Sequence, residues 1–514
     1  MILSFLNKKS SGGGGGNSIL IEKSVSENGE YIAANDNADG YSKFNVAVPD
    51  TKPSNPNKTL FVVYVTKQDG SKVVGGVVTF TDGNSTDYTA TTDSNGRAQI
   101  ELDIGNYQIS VGEITGFITP DAQTVQGDAN ETNYVSLNYL PSSVTYGVKI
   151  DLADSNPETS VTYTDDAVGF DKSYMDFTND TFVYGSWQNK FPFNQVKPCL
   201  FKNGAVVKYL NPNNYAQDTE GNAVDITGPE GDVMIEIPKI YYKLHKDENY
   251  QYIQISDTQQ EGFCCLAHTY KGVEKDKVYI GAYQAYNESS KARSISGVSA
   301  TGSVSMNNWR TYSQANGTGY EQFYWHLLVL LECLFVIQFK NLNSQAALGY
   351  GWCNNSSAFS TGGGLNEKGM YYGTATTGQM KFMGIEDFYG SRRTWIDGIR
   401  TSGTKITIAD VTSPDMAFNG NGTNYIEAGD SGLSSQSGYT KTIIGTNEGG
   451  FTPTNVGGST STYYCDYSYF YSGVVLSFGG GRAYAADAGA FFLYFYGSAT
   501  GASSILGGRL AFCG

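Results

Sequence analysis

Apolar and polar residues alternate over short segments along most of this 514-residue chain, and that period is typical of half-buried β-strands. From about Thr59 the segments LFVVYV and GGVVTFTD predict two such strands. A turn signal at residues 93–96 precedes further apolar residues at alternate positions, namely Ala98, Ile100, Leu102, Tyr107, Ile109 and Val111. The pattern predicts a β-sandwich over residues 59–140, which we expect to act as a rigid spacer.

A larger unit is predicted from residue 141 to residue 514. Segments such as VTYGVKIDL and GDVMIEIPKIYYKL predict strands in it. From Tyr320 to about Lys340 the period changes, because apolar residues recur at helical spacing at Tyr324, Leu327, Leu328, Leu331 and Phe335. Val329, Leu330 and Leu334 are apolar as well, so we predict a helix that is buried on most sides.

The first 58 residues carry flexible and turn-forming signals. Five glycines at residues 12–16 predict a flexible tail over 1–16. Turn-forming pairs at 28–29, 35–36 and 39–40 predict a small β motif over 17–50, and prolines among polar residues predict a linker over 51–58. The apolar stretch at 1–6 is short and precedes the basic residues, so we expect no secretion signal.

Composition excludes several classes of function. The net charge of −16 disfavours binding to nucleic acid, and no apolar run is long enough to predict membrane insertion. The seven cysteines are irregularly spaced, which predicts neither a disulfide framework nor a zinc site. Walker, G-x-S-x-G and EF-hand patterns are missing from the sequence. We therefore expect no enzymatic activity, no catalytic residue, no metal ion and no cofactor.

The last 53 residues, about 462–514, are rich in tyrosine, with serine and glycine filling most of the gaps. The tyrosines are Tyr463, Tyr464, Tyr467, Tyr469, Tyr471, Tyr484, Tyr494 and Tyr496. Tyrosine provides a large, stiff contact with a polar tip, and serine and glycine adapt around it, as in antibody binding surfaces. An ordinary glycine- and tyrosine-rich end of a β-sheet explains the same composition equally well.

A second feature of this segment is what it lacks. After Glu448 there is no Lys, Glu, Gln, Met or Trp. These are the five residues that an asparagine codon ending in a pyrimidine cannot become when only its adenines are randomised, although compositional bias would also remove them. With its GGRLAF ending at 507–512, the segment resembles the variable end of target proteins of diversity-generating retroelements, which have a C-type-lectin-like fold.

The string GIEDFYGSRRTWIDGIRT at 384–401 resembles the motif G-x-E-N-x-x-G-N-x-W-E-W-x-D-G. The formylglycine-generating-enzyme and retroelement-target branches of that fold share this motif. We expect Trp395 to fill a core, and we expect Asp397 and Gly398 to form a turn. The chain departs from the motif at Ser391, Arg393 and Thr394.

The enzyme branch of that family requires two reactive, copper-binding cysteines close together in sequence. Cys465 and Cys513 are far apart, which disfavours that activity.

Other strings resemble parts of tailed-phage tail proteins. GEY followed by DNADGYSK resembles a β motif at the N-termini of such proteins, and residues 59–140 resemble prealbumin-like or collagen-adhesin B-type sandwiches. A recurrent pattern of phage receptor-binding proteins is matched by LNPNNY (210–215), GDVMIEIPKIYYK (231–243), EKDKVYIGAY (274–283), ISGV (295–298) and NSQAALGYG (343–351).

These resemblances imply a multidomain, mainly β protein with an N-terminal β motif, an Ig-like or prealbumin-like sandwich and an α+β C-type-lectin-like domain. Apolar and glycine positions of the variable region are expected to form its core: Val475, Gly480, Gly481, Gly489, Phe491, Gly507, Gly508, Leu510 and Phe512, with Arg509 as a buried structural residue. The expected receptor contacts are Tyr467, Tyr469, Tyr471, Phe478, Arg482, Tyr484, Asp487, Tyr494, Tyr496, Ser498, Thr500 and Ser503. Phe478 and Tyr494 could equally fill the core.

The resulting hypothesis is a receptor-binding protein of a phage tail, made in the host cytoplasm and carried on the virion. Its expected partners are a host-cell surface protein or glycan, other tail or baseplate proteins, and further copies of itself, with a trimer implied by the resemblance to tail adhesins. The alternatives are a bacterial surface adhesin with the same fold and, less favoured, an enzyme of the formylglycine-generating type.

Overall fold

The computed structural model describes residues 52–67, 70–114, 116–141, 143–357 and 359–514, together with the backbone of three earlier strands. The chain forms two compact units, Met1–Ser142 and Ser143–Gly514. The early strands Ile19–Leu20, Gly29–Asn35 and Tyr41–Val46 form one antiparallel sheet within the predicted β motif. The predicted flexible tail at 1–16 lies outside the described residues.

The next segment forms a sandwich of two four-stranded sheets, as predicted. One sheet has the order Gln123–Gly127, Gly105–Val111, Val77–Asp82 and Asp87–Thr91, and the other has the order Arg97–Leu102, Thr59–Lys67, Thr132–Pro141 and Phe117–Ile118. Alternate side chains such as Phe61, Phe80 and Ile109 fill the space between the sheets. Ser54, in the predicted linker, hydrogen-bonds through its hydroxyl to Glu101 at 2.8 Å, so this part of the linker is attached to the sandwich.

The second unit contains three larger sheets. A four-stranded sheet has the order Val161–Asp165, Thr145–Asp151, Tyr250–Ser256 and Tyr241–Lys246. A seven-stranded sheet has the order Asn214–Asp218, Ala205–Asn211, Lys197–Lys202, Asp232–Pro238, Lys277–Gly281, Leu510–Phe512 and Tyr320–Gln322.

The third sheet, called the terminal sheet here, has eight strands and carries most of the tyrosine-rich segment. Its order is Tyr425–Asp430, Lys405–Ala409, Arg393–Ser402, Val475–Phe478, Leu493–Gly497, Tyr467–Tyr471 and Ser435–Tyr439, and Leu506–Gly507 pairs with Arg393–Ser402. Two-stranded ribbons complete the unit: Tyr174–Asp176 with Thr181–Val183, Thr269–Tyr270 with Val273–Glu274, Tyr286–Glu288 with Lys291–Arg293, Lys381–Phe382 with Ile385–Glu386, and Thr442–Ile443 with Pro453–Asn455.

The helices of the described residues are α1 (Met306–Gln314), α2 (Trp325–Phe339), α3 (Ser344–Ala347) and two 3-10 turns, Leu266–His268 and Ala485–Asp487. Every residue of α2 is buried, as predicted. The predicted start at Tyr320 is wrong, because Tyr320–Gln322 pairs as an edge strand with Leu510–Phe512. None of these helices is long and apolar enough to cross a membrane.

The predicted turn at Asp397 and Gly398 is also wrong. Both residues lie inside the strand Arg393–Ser402, where the pairing register shifts and Gly398 has a φ of +77°. The Asp397 carboxylate accepts hydrogen bonds from Arg310 at 2.5 and 2.8 Å. Asp397 and Gly398 therefore form a bulge that is held by the ion pair of Asp397 with Arg310. Trp395 fills a core, as expected.

Candidate binding face

Strand alternation separates the tyrosine-rich segment into two sides. Along Tyr467–Tyr471 the residues Ser468 and Phe470 are buried, whereas the tyrosines between and beside them are only half-buried. Along Leu493–Gly497 the residues Leu493 and Phe495 are buried, Tyr494 is half-buried and Tyr496 is 54% exposed. The two strands run parallel and set Tyr469 opposite Tyr494, so their outward tyrosines share one side of the terminal sheet.

The outward tyrosines form a continuous network of ring contacts. Ring centroids lie 4.9 Å apart for Tyr467 and Tyr469, 4.5 Å for Tyr469 and Tyr494, and 5.7 Å for Tyr494 and Tyr496. Tyr471 lies 4.7 Å from Tyr496, and Tyr484 lies 6.4 Å from Tyr494. These spacings are those of favourable edge-to-face and offset contacts. The rings therefore support one another in place before any ligand is present.

Tyr439 belongs to the same network, although it precedes the predicted variable region. It is opposite Tyr467 in the antiparallel register, with ring centroids 5.0 Å apart. Its hydroxyl donates a hydrogen bond to the carboxylate of Asp487. No local pattern identified it, because SQSGY at 435–439 has no large apolar residue other than Tyr439 and shows no alternation. We define the tyrosine face as Tyr439, Tyr467, Tyr469, Tyr471, Tyr484, Tyr494 and Tyr496.

Three hydroxyls of this face, those of Tyr439, Tyr469 and Tyr484, have pKa values above the ordinary value of tyrosine. Burial and then neighbouring tyrosines raise the pKa of Tyr469 to about 12. Burial also raises the pKa of Tyr484 and, together with the hydrogen bond to Asp487, that of Tyr439. Each of these hydroxyls can therefore both donate and accept a hydrogen bond.

The other predicted contact residues lie around this face. Arg482 and Asp487 are half-buried in the loop that carries Tyr484. Ser498 and Thr500 are exposed after the strand Leu493–Gly497, with their hydroxyls 3.2 Å apart, and Ser503 is half-buried in the same loop. The structure thus leaves all of these side chains at least partly accessible.

Phe478 is the exception, because its side chain is only 1% exposed. It lies on the strand Val475–Phe478, in the middle of the terminal sheet, where every residue is buried. Its ring packs 5.1 Å from that of Phe388. The prediction that Phe478 is a contact residue is therefore corrected, and Phe478 belongs to the core.

The residues predicted to form the core are buried without exception: Val475, Gly480, Gly481, Gly489, Phe491, Gly507, Gly508, Leu510 and Phe512. At Gly480 the reason is close approach, since a Cβ atom there would lie 2.4 Å from Ala488 Cβ and φ is +70°. Arg509 is buried too, and its guanidinium donates to the carbonyls of Gly281, Ala282, Glu386 and Asp387 at 2.7–3.2 Å. It is a structural residue, as expected.

The cysteines are free thiols that are buried or half-buried. All seven are free, and burial raises the pKa of Cys465 to about 12 and that of Cys513 to about 11. Thiols with such pKa values stay protonated at neutral pH, whereas a nucleophile or a metal ligand must be a thiolate. Within the described parts of the chain no group of three His, Cys, Asp or Glu residues could hold a metal ion.

Comparisons with known proteins give only distant structural matches. No protein-family model matches the chain, and no curated protein does. A minor pilin of Streptococcus agalactiae, GBS52, matches with a TM-score of 0.16 and 19% identity. The match covers 22% of this chain and 61% of the pilin, so this chain spans less than two thirds of the pilin's length. A streptococcal ancillary pilin matches with a TM-score of 0.18 and 13% identity over 46% and 72% of the two chains.

The major pilin subunit BcpA of Bacillus cereus gives a third match, with a TM-score of 0.18 and 12% identity over 43% and 63% of the two chains. TM-scores of this size do not transfer a function to this chain.

Proposed function

We propose that this protein is an adhesin that binds a protein or glycan on a bacterial cell surface through the tyrosine face. The observation that carries the proposal is the network of seven outward tyrosines, from Tyr439 to Tyr496, above a fully packed core. Rings held by their neighbours lose little freedom on binding, and each adds a polar tip.

The same architecture suits sequence diversification. Outward residues such as Tyr469 contact other outward residues, while Phe470 on the opposite side packs at 5.4 Å against Phe495. Strand alternation therefore lets outward side chains such as those of Tyr471 and Tyr496 be exchanged without disturbing Phe470 and Phe495. The rings of Tyr484 and Tyr494 also contact the buried Phe492, so the two sets meet there. The separation elsewhere along these strands supports the retroelement-target resemblance of the tyrosine-rich segment.

More specifically, we propose that the chain is the receptor-binding protein of a phage tail. Support comes from the resemblance of residues 17–50 and of several strings between residues 210 and 351 to tail proteins. The N-terminal residues would then attach to the tail or baseplate, and several copies, as in a trimer, would add avidity to a weak single site. A bacterial surface adhesin with the same binding face is the alternative.

Cell staining tests the proposal. The full chain, fluorescently labelled, is incubated with a panel of bacterial isolates and measured by flow cytometry. We expect staining of at least one isolate, and at least a tenfold loss in the double variant Tyr471→Ala, Tyr496→Ala. Tyr174→Ala is the matched control, because Tyr174 is a 42% exposed tyrosine outside the face. Staining that survives in the double variant would contradict the proposal.

A further inference from the structure

Arg393, one of the departures from the family motif, is a buried cation beneath the tyrosine face. Only 5% of the residue is exposed. Its guanidinium carbon lies 3.7 Å from the ring centroid of Tyr494 and 5.3 Å from that of Tyr484. Its Nε and Nη1 atoms are buried and have no hydrogen-bond partner. Cation–π contacts offset only part of the cost of burying a guanidinium, so unpaired donors of this kind call for an explanation.

Two more arginines lie beside it. Arg392 and Arg482 are half-buried and both donate to the carbonyl oxygen of Ser504, Arg482 at 3.5 Å. Burial, and then the charge of Arg482, lowers the pKa of Arg392. We call Arg392, Arg393 and Arg482 the arginine patch. The like charges of Arg392 and Arg482 repel each other at their shared contact with Ser504, and an anion beside them would relieve the repulsion.

The patch has no anionic partner of its own. Across the residues that the structure describes, no carboxylate forms an ion pair with any of the three arginines, whereas Arg293 and Arg310 each pair with an aspartate. Asp487 accepts a hydrogen bond from Tyr439, and burial raises the pKa of Asp466, which favours its neutral form. A chain with a net charge of −16 therefore keeps unneutralised cations beside its candidate binding face.

We infer that the arginine patch binds the carboxylate or phosphate of an anionic glycan whose sugar rings lie on the tyrosine face. This inference rests on the proposed function. Guanidinium groups match both anions through paired N–H donors. Arg393 contacts Tyr484 and Tyr494, and Arg482 lies in the loop that carries Tyr484, whereas the rest of the face consists of hydroxyl-bearing rings, with the Asp487 carboxylate at Tyr439. That arrangement suits a ligand with a charged group next to neutral rings better than a polyacidic peptide.

Binding to defined polymers tests the inference. The full chain is immobilised and exposed to polygalacturonate (carboxylate), phosphomannan (phosphate), dextran (neutral) and polyglutamate (acidic peptide). We expect at least one anionic glycan to bind at least tenfold more tightly than dextran and polyglutamate, and binding to weaken with salt. The double variant Arg392→Gln, Arg482→Gln should lose this preference. The control Lys405→Gln, which removes a cation that pairs with Glu427 on the same sheet, should keep it.

The inference would be overturned by no binding to either anionic glycan, by equal binding to dextran, by polyglutamate binding as tightly as the anionic glycans, or by an arginine double variant that keeps the preference. Cell staining separates this failure from failure of the proposed function. If the tyrosine double variant loses staining and the arginine double variant does not, the adhesin proposal stands and the anionic ligand is wrong. Unchanged thermal unfolding of each variant checks that the fold is intact.

Discussion

Tyr469 and Tyr494 lie opposite each other on adjacent parallel strands, with ring centroids 4.5 Å apart. The same register sets Phe470 against Phe495, whose rings pack 5.4 Å apart. Because alternate residues point to opposite sides of a sheet, this single pairing fixes both the binding face and the core beneath it. A slip of one residue would exchange the two.

The two sides of the sheet should differ in their effect on stability. Phe478→Ala removes a buried ring from the core and should lower the free energy of unfolding by about 3–5 kcal/mol. Tyr496→Ala removes an exposed ring and should cost about 1 kcal/mol or less. Denaturant unfolding followed by tryptophan fluorescence measures both, since all five tryptophans lie in the second unit. Equal losses in the two variants would show that Tyr496 is a core residue.

Much of this architecture was predictable from local patterns. Alternation identified the sandwich, and apolar or glycine residues such as Phe491 and Gly480 identified the core of the tyrosine-rich segment. Phe478 was misplaced because a strand covered on both sides has no alternation to show which residues face solvent. Tyr320 was misplaced because its partner, Leu510–Phe512, is distant in sequence. The contact of Arg393 with Tyr494 likewise depends on tertiary packing that no local pattern encodes.

Backbone strain in the loop under Tyr484 gives a second prediction. Ala485 has a φ of 48°, in the left-handed region that costs an L-residue roughly 1–2 kcal/mol. Relief of this strain in Ala485→Gly should therefore raise the free energy of unfolding by about 1 kcal/mol. The greater backbone entropy that glycine gives the unfolded chain reduces this gain. Ala483→Gly is the control, because Ala483 is exposed and has no positive φ, and it should be neutral or slightly destabilising. The same unfolding measurement applies, and a destabilised Ala485→Gly variant would refute the strain.

Glu321 should make the stability of the second unit depend on pH. Burial raises the pKa of its carboxyl from 4.5 to about 7, although Tyr270 and Gln314 donate hydrogen bonds to it. The folded state thus binds this proton more tightly than the unfolded state, so stability decreases as pH rises from about 4.5 to about 7 and is unaffected by this group above that. A shift of this size corresponds to about 3 kcal/mol.

Glu321→Gln removes that titration. Denaturant unfolding at pH 5 and pH 8 should therefore show a smaller loss of stability in the variant than in the wild-type protein. Groups that titrate in both proteins cancel in this comparison. An identical pH dependence in the two proteins would mean that Glu321 has an ordinary pKa in the fold.

The central claim is that the outward side chains of the terminal sheet form an exchangeable binding surface above a fixed core. Deep sequencing of the 3′ end of the gene in a phage or lysogen population tests it most directly. We expect substitutions at outward residues, including Tyr467, Tyr469, Tyr494 and Tyr496, whose codons derive from template codons that contain adenines and end in a pyrimidine. We expect Phe470, Phe478 and Phe495 to be unchanged. Substitutions spread evenly over outward and buried positions, or an invariant segment, would contradict the claim.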